Sequence, residues 1–117
     1  MSIASPPQKP RNRKSEIDEL LRKYDELIEL ALEKIDYWCW NVSGDPVEEC
    51  YAAHSTLDLG EIIDMYLKGR DRELLEKIEN ELIAKMGEEK FNKYLSKKEA
   101  EIARRLERVA EKLSRGV

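Results

Sequence analysis

The chain is poor in the residues that build sheets, tight turns and catalytic triads. Among its 117 residues there are one Phe, one His, two Cys, four Pro and five Gly. Val and Thr are also scarce, and no run alternates apolar and polar residues with a period of two, which argues against strands. No apolar run approaches the ~20 residues needed to span a bilayer. The N-terminal cations are not followed by an apolar segment, so they do not form a secretory signal. These absences lead us to expect an intracellular, cytoplasmic protein with no membrane partner. The single His54 removes most Ser-His and Cys-His catalytic schemes, which need a base beside the nucleophile.

What remains is a sequence in which 39% of residues are charged and 41% hydrophobic. Its stock of Glu, Lys, Leu and Ile favours long amphipathic helices, and the length suits one core. The expectation is an all-α bundle of five to six helices over 15–117, preceded by a basic segment over 1–14. Heavy use of Glu, Lys and Arg also matches the composition of hyperthermophile proteins.

The net charge of −4 is unevenly spread. Residues 1–14 hold Lys9, Arg11, Arg13 and Lys14 without an acid, residues 15–95 are strongly acidic, and residues 96–117 are again basic. Such ends can meet a polyanion, because the local field matters more than the total. Pro6, Pro7 and Pro10 with the adjacent cations read as a disordered arm or an interdomain linker.

From Ser15, a candidate N-cap, the apolar residues Ile17, Leu20, Leu21, Tyr24, Leu27, Ile28, Ala31, Ile35, Trp38 and Val42 follow a helical period. Gly44-Asp45-Pro46 ends this helix and starts a second with Val47, Cys50, Tyr51 and His54 on one face. Asp58 and Glu61 form a capping box for a third helix ending at Gly69. A fourth is expected from Asp71 to Met86, with Leu74, Leu75, Ile78, Leu82, Ile83 and Met86 inward. A short turn around Phe91 and Tyr94 should follow, then a last helix capped by Ser96 and Glu99, with Ile102, Ala103, Leu106, Val109, Ala110 and Leu113 inward.

Cys39 and Cys50 are equidistant from the turn between the first two helices and lie on inward stripes, which makes a disulfide geometrically accessible. Two buried thiols, or a metal site with His54, are the alternatives. The Cys-x10-Cys-x3-His spacing matches no common zinc signature, and a fourth ligand is missing unless Asp36 turns inward. His54 otherwise packs beside Ile35. We assign no catalytic residue and no metal ligand.

Three cationic or aromatic groups stand out. Lys68, Arg70 and Arg72 flank a helix N-terminus, where free N–H groups and the dipole suit a phosphate; a plain inter-helix turn is the alternative. Lys97, Arg104, Arg108, Lys112 and Arg115 form a ridge opposite the apolar stripe of the last helix, suited to a phosphate backbone or simply to solvent. Tyr37 and Trp40 lie away from the core stripe, either packed on another helix or free to stack on nucleobases.

Two family resemblances bear on function. Residues 59–69 and 73–82 resemble part of the MazG-type nucleotide pyrophosphohydrolases. In them Glu61 with Asp64, and Glu76 with Glu79 or Asn80, would hold magnesium against a triphosphate; otherwise these carboxylates form a solvated acidic face. The bundle as a whole, with its Pro6–Lys14 linker and the helices from Ser15 to Ser114, resembles the helix-bundle accessory domain that follows the catalytic prim-pol domain in archaeal plasmid primase-polymerases. That resemblance implies binding of single-stranded DNA template and of ATP or other nucleoside triphosphates with magnesium. Both would be presented to a catalytic domain in the same polypeptide, with no catalysis by the bundle itself. A helical oligomerisation protein is the remaining class.

Overall fold

The computed structural model describes residues 13–116, and all regular structure in them is helical. The helices are α1 (Arg13–Asn41), α2 (Val47–His54), α3 (Leu59–Tyr66), α4 (Gly69–Met86) and α5 (Glu88–Ser114). The basic arm expected over 1–14 lies outside the described residues except for Arg13 and Lys14, which open α1. That helix therefore begins before Ser15 rather than being capped by it.

The helices alternate in direction. At the turn after α1, Gly44 takes a positive φ of 76° and the chain folds back into α2. α3 then runs parallel to α1, with Lys34 Nζ donating to the Tyr66 carbonyl at 3.0 Å. α4 is antiparallel to α1: Lys85 pairs with Glu16 at 2.8 Å, Tyr24 donates to Glu79 at 2.9 Å, and Lys34 faces Asp71 at 4.0 Å. α5 runs parallel to α1, through Lys98 to Asp25 at 3.2 Å and Arg105 to Glu29 at 2.5 Å.

Each helix commits one face to a single core. Tyr24, Ile28, Ala31 and Ile35 of α1 meet Ile62 and Leu67, Leu75 and Leu82 of α4, and Phe91, Ile102 and Leu106 of α5. Burying such a side chain contributes roughly 1.5–3 kcal/mol. Tyr24 sits edge-on to Phe91, with ring centroids 5.8 Å apart, a geometry that the ring quadrupoles favour.

Several boundaries differ from those the sequence implies. α5 is continuous from Glu88, without a break at Ser96, because Phe91, Leu95, Ile102 and Leu106 form one stripe and exposed Ser96 costs little within it. α3 ends at Tyr66 instead of Gly69, since buried Leu67 takes an extended conformation and pins the bend. Gly69 then opens α4 two residues before Asp71. On α4, Leu74 and Ile83 are exposed, not inward, because Leu75, Ile78 and Leu82 already fill the face toward the core. Gly87, with φ +91°, makes the sharp turn into α5 that a side chain would strain.

Candidate functional site

The α1–α2 hairpin is held covalently. Cys39 and Cys50 form a disulfide with Cα atoms 5.6 Å apart, as the symmetry about the turn implies. Beside it His54 is buried. Its Nδ1 faces the Cys50 carbonyl at 2.8 Å, and a carbonyl only accepts, so Nδ1 carries the proton. Nε2 then accepts from the Tyr66 hydroxyl at 2.6 Å. His54 thus ties α2 to α3.

A second chain of hydrogen bonds lies on the outer side of the hairpin. Tyr51 donates to Asp36 at 2.7 Å, and Trp40 Nε1 donates to the Tyr51 oxygen at 3.2 Å. Burial, reinforced by the Asp36 carboxylate, pushes the Tyr51 phenol up to about 12. Burial moves Tyr24 and Tyr94 in the same direction, aided by Glu79 and Asp25 respectively. In the unfolded chain these phenols ionise near about pH 10, so above that the native state holds more protons. Stability should therefore be unaffected by these groups below pH 10, then fall as pH rises toward 12. A urea midpoint that is lower at pH 11 than at pH 9 would show it, and Tyr51→Phe should reduce the drop.

Tyr51 also holds Trp40 at the end of α1, where two more aromatics lie. Trp40 is 55% exposed and Tyr37 64%, so neither is packed under another helix. Trp38, expected on the core stripe, is instead 42% exposed, and Val42 is exposed with it. Cys39 takes the inward position, and the short α2 covers only that side. Three aromatics thus meet solvent at one end of the bundle.

The ridge on α5 reaches toward the same end. Lys97, Arg104, Arg108 and Lys112 are exposed, and among the described residues none forms an ion pair. Their neighbours Lys98 and Arg105 point the other way, onto Asp25 and Glu29 of α1. Because α5 is parallel to α1 and Arg105 is level with Glu29, Arg108 lies near the level of Leu32 and Lys112 near that of Asp36, about one turn short of Trp40. The face is mixed, since Glu101, Glu107 and Glu111 are exposed on the same helix.

The N-terminus of α4 arrives there too, as the Lys34–Asp71 approach shows. Its cations differ in freedom. Arg72 is held by Asp64 at 2.6 Å and by Glu76 at 3.0 Å, and the hydrogen bond to Asp64 raises its already high pKa. Lys68 Nζ is bonded to the Asp64 carbonyl oxygen. Of these three, Arg70 alone has neither an ion pair nor a side-chain hydrogen bond among the described residues.

No protein-family model matches the chain, and no curated protein or solved structure matches it significantly. The acidic pairs considered as magnesium holders are occupied in other ways. Glu61 accepts from the Asp58 N–H at 3.0 Å while Asp58 accepts from the Glu61 N–H at 2.8 Å, completing the expected capping box. Asp64 and Glu76 grip Arg72, and Glu79 accepts from Tyr24. Glu99 is likewise engaged, accepting from the Leu59 N–H at 2.7 Å. The sequence gives no sign of this last bond or of the Trp40–Tyr51–Asp36 chain, because both depend on which helices become neighbours. A cleft of about 310 Å³ lies between α1, α3, α4 and α5, lined by Tyr24, Gly60, Glu79, Asn92 and Glu99. No helix of the described residues is long and apolar enough to cross a membrane.

Proposed function

We propose that this chain is a binding module for single-stranded DNA and nucleoside triphosphates, serving a catalytic prim-pol domain in the same polypeptide and performing no chemistry itself. The observation that carries the reading is the exposure of Tyr37, Trp38 and Trp40 at the end of the bundle toward which the unpaired cations of α5 run. Aromatic faces stack on any base, and cations along a helix follow a phosphate backbone, which together make a sequence-tolerant surface for a single strand. A triphosphate with its magnesium would be met by Arg70 and Lys68 at the start of α4. Arg72 would take part only by giving up Asp64 or Glu76.

Tryptophan fluorescence titrated with a short oligonucleotide tests the reading directly. Quenching is expected on addition of DNA. Arg104→Ala with Arg108→Ala should weaken binding across sequences and lower the salt slope by roughly 0.7 for each lost phosphate contact. Trp40→Ala should cost about 1–3 kcal/mol of binding with little change in that slope. Arg70→Ala should weaken ATP binding and leave DNA affinity nearly unchanged. Full DNA affinity in both the double arginine variant and Trp40→Ala would overturn the assignment.

A further inference from the structure

The disulfide and His54 do more together than staple a hairpin. Cys39 Sγ and Cys50 Sγ lie 3.9 and 3.8 Å from the same atom, His54 Nδ1, and all three side chains are buried. This is the one group of potential metal-ligating side chains among the described residues whose donor atoms converge, each within 4.8 Å of the others. We propose that the reduced protein binds one thiophilic d10 cation, Zn²⁺ or Cu(I), through Cys39, Cys50 and His54, so that the disulfide and the metal site are alternative states of the same residues.

The distances favour it. A zinc ion sits about 2.3 Å from a thiolate and about 2.0–2.1 Å from an imidazole nitrogen, which puts ligand atoms roughly 3.5–4 Å from one another. The imidazole nitrogen already lies beside both sulfurs; the sulfurs have to part from a covalent bond to that separation, and Nδ1 has to give up its bond to the Cys50 carbonyl. The surroundings also suit a soft ion, because two thiolates and an imidazole select Zn²⁺ or Cu(I) over the hard cations that carboxylates bind.

The imidazole comes with its supporting partner. In the disulfide form Nδ1–H donates to the Cys50 carbonyl and Nε2 accepts from Tyr66. In the ion-bound form the ring proton resides on Nε2 and is donated to the Tyr66 oxygen, which frees the Nδ1 lone pair for the cation. A ligating histidine is commonly fixed in this way by an acceptor behind its other nitrogen. The reaction balances. A dithiol supplies two electrons and two protons, the sulfur–sulfur bond breaks to give two thiols, and the dithiol closes to its own disulfide. The cation then displaces both thiol protons to solvent; Nδ1 gives its proton to solvent and Nε2 takes one up, so the imidazole stays neutral.

The test uses the full chain, oxidised or reduced with a phosphine, and titrated with Zn²⁺ or Cu(I) against a chromophoric chelator. One ion per chain should bind to the reduced protein and none to the oxidised one. Preference for Cu(I) would indicate three-coordination by these side chains alone, and preference for Zn²⁺ a fourth ligand from solvent. Cys39→Ser should abolish binding. Tyr66→Phe, which keeps the ring and removes the acceptor, should weaken it about tenfold or more, as loss of a supporting partner does. His54→Ala should weaken it further, with circular dichroism confirming that the helices persist. Failure of the reduced protein to bind either ion would overturn the proposal. So would an affinity unchanged in both Tyr66→Phe and His54→Ala.

Discussion

Ile35→Ala should destabilise the bundle by about 2–5 kcal/mol, the range for truncating a fully buried aliphatic side chain. Ile35 is 0% exposed and belongs to the core, so its loss leaves a cavity that its neighbours close only in part. A domain of this size holds only about 5–15 kcal/mol in total, so the variant could be largely unfolded on mild heating. The informative control is Trp38→Ala. Trp38 is the larger residue, yet its partial exposure should confine the cost to about 1 kcal/mol or less. Urea midpoints of the two variants measure the contrast. Equal losses would mean that α1 is rotated about its axis relative to the structure described here.

The second large effect concerns the hairpin. Cys39→Ser with Cys50→Ser should lower stability by roughly 3 kcal/mol, as expected for opening a loop of this length in the unfolded chain. The two cysteines are eleven positions apart in sequence, and the effect acts mainly through the unfolded ensemble. Chemical denaturation of oxidised and reduced protein gives the same comparison without mutation. The difference should vanish in the double serine variant. If it persists there, the reductant is acting on something other than this bond.

Much of the fold is written in local patterns, and the places where reading them goes astray share a cause. Cys39 and Cys50 are matched by counting outward from Gly44 and Asp45, which is a local rule, and the disulfide follows. The Asp58–Glu61 box is equally local and starts α3 where expected. At Trp38 the same kind of counting goes wrong. A helical period starting at Ile35 points inward at both three and four residues on, and only the short α2 decides for Cys39. The split of α5 at Ser96 is a different error. Serine followed three residues later by glutamate is a capping signal wherever it occurs. Here Glu99 caps α3 instead, and the buried stripe from Phe91 onward carries the helix through.

The candidate site was legible as residue types and not as pairings. Exposed Tyr37 and Trp40 and the α5 ridge are visible on a helical wheel. The capture of Arg72 by Asp64, eight residues earlier, depends on the α3–α4 bend at Leu67 and cannot be counted from spacing. Likewise the sequence separates His54 from Tyr66 by a loop and a helix start, and only the antiparallel course of α2 and α3 brings imidazole to phenol.

The bond from the Leu59 N–H to Glu99 spans forty residues of chain and bears on the order in which the molecule can be made. A polypeptide leaves the ribosome from its N-terminus, and the hairpin of α1 and α2 needs nothing beyond residue 54 to align its cysteines. The first turn of α3 emerges next with one amide hydrogen that its own sequence cannot satisfy. Water serves that donor until α5 has been synthesised as far as Glu99. The apolar face of α1 likewise stays uncovered until Leu75 and Leu82 of α4 and Phe91, Ile102 and Leu106 of α5 have been made.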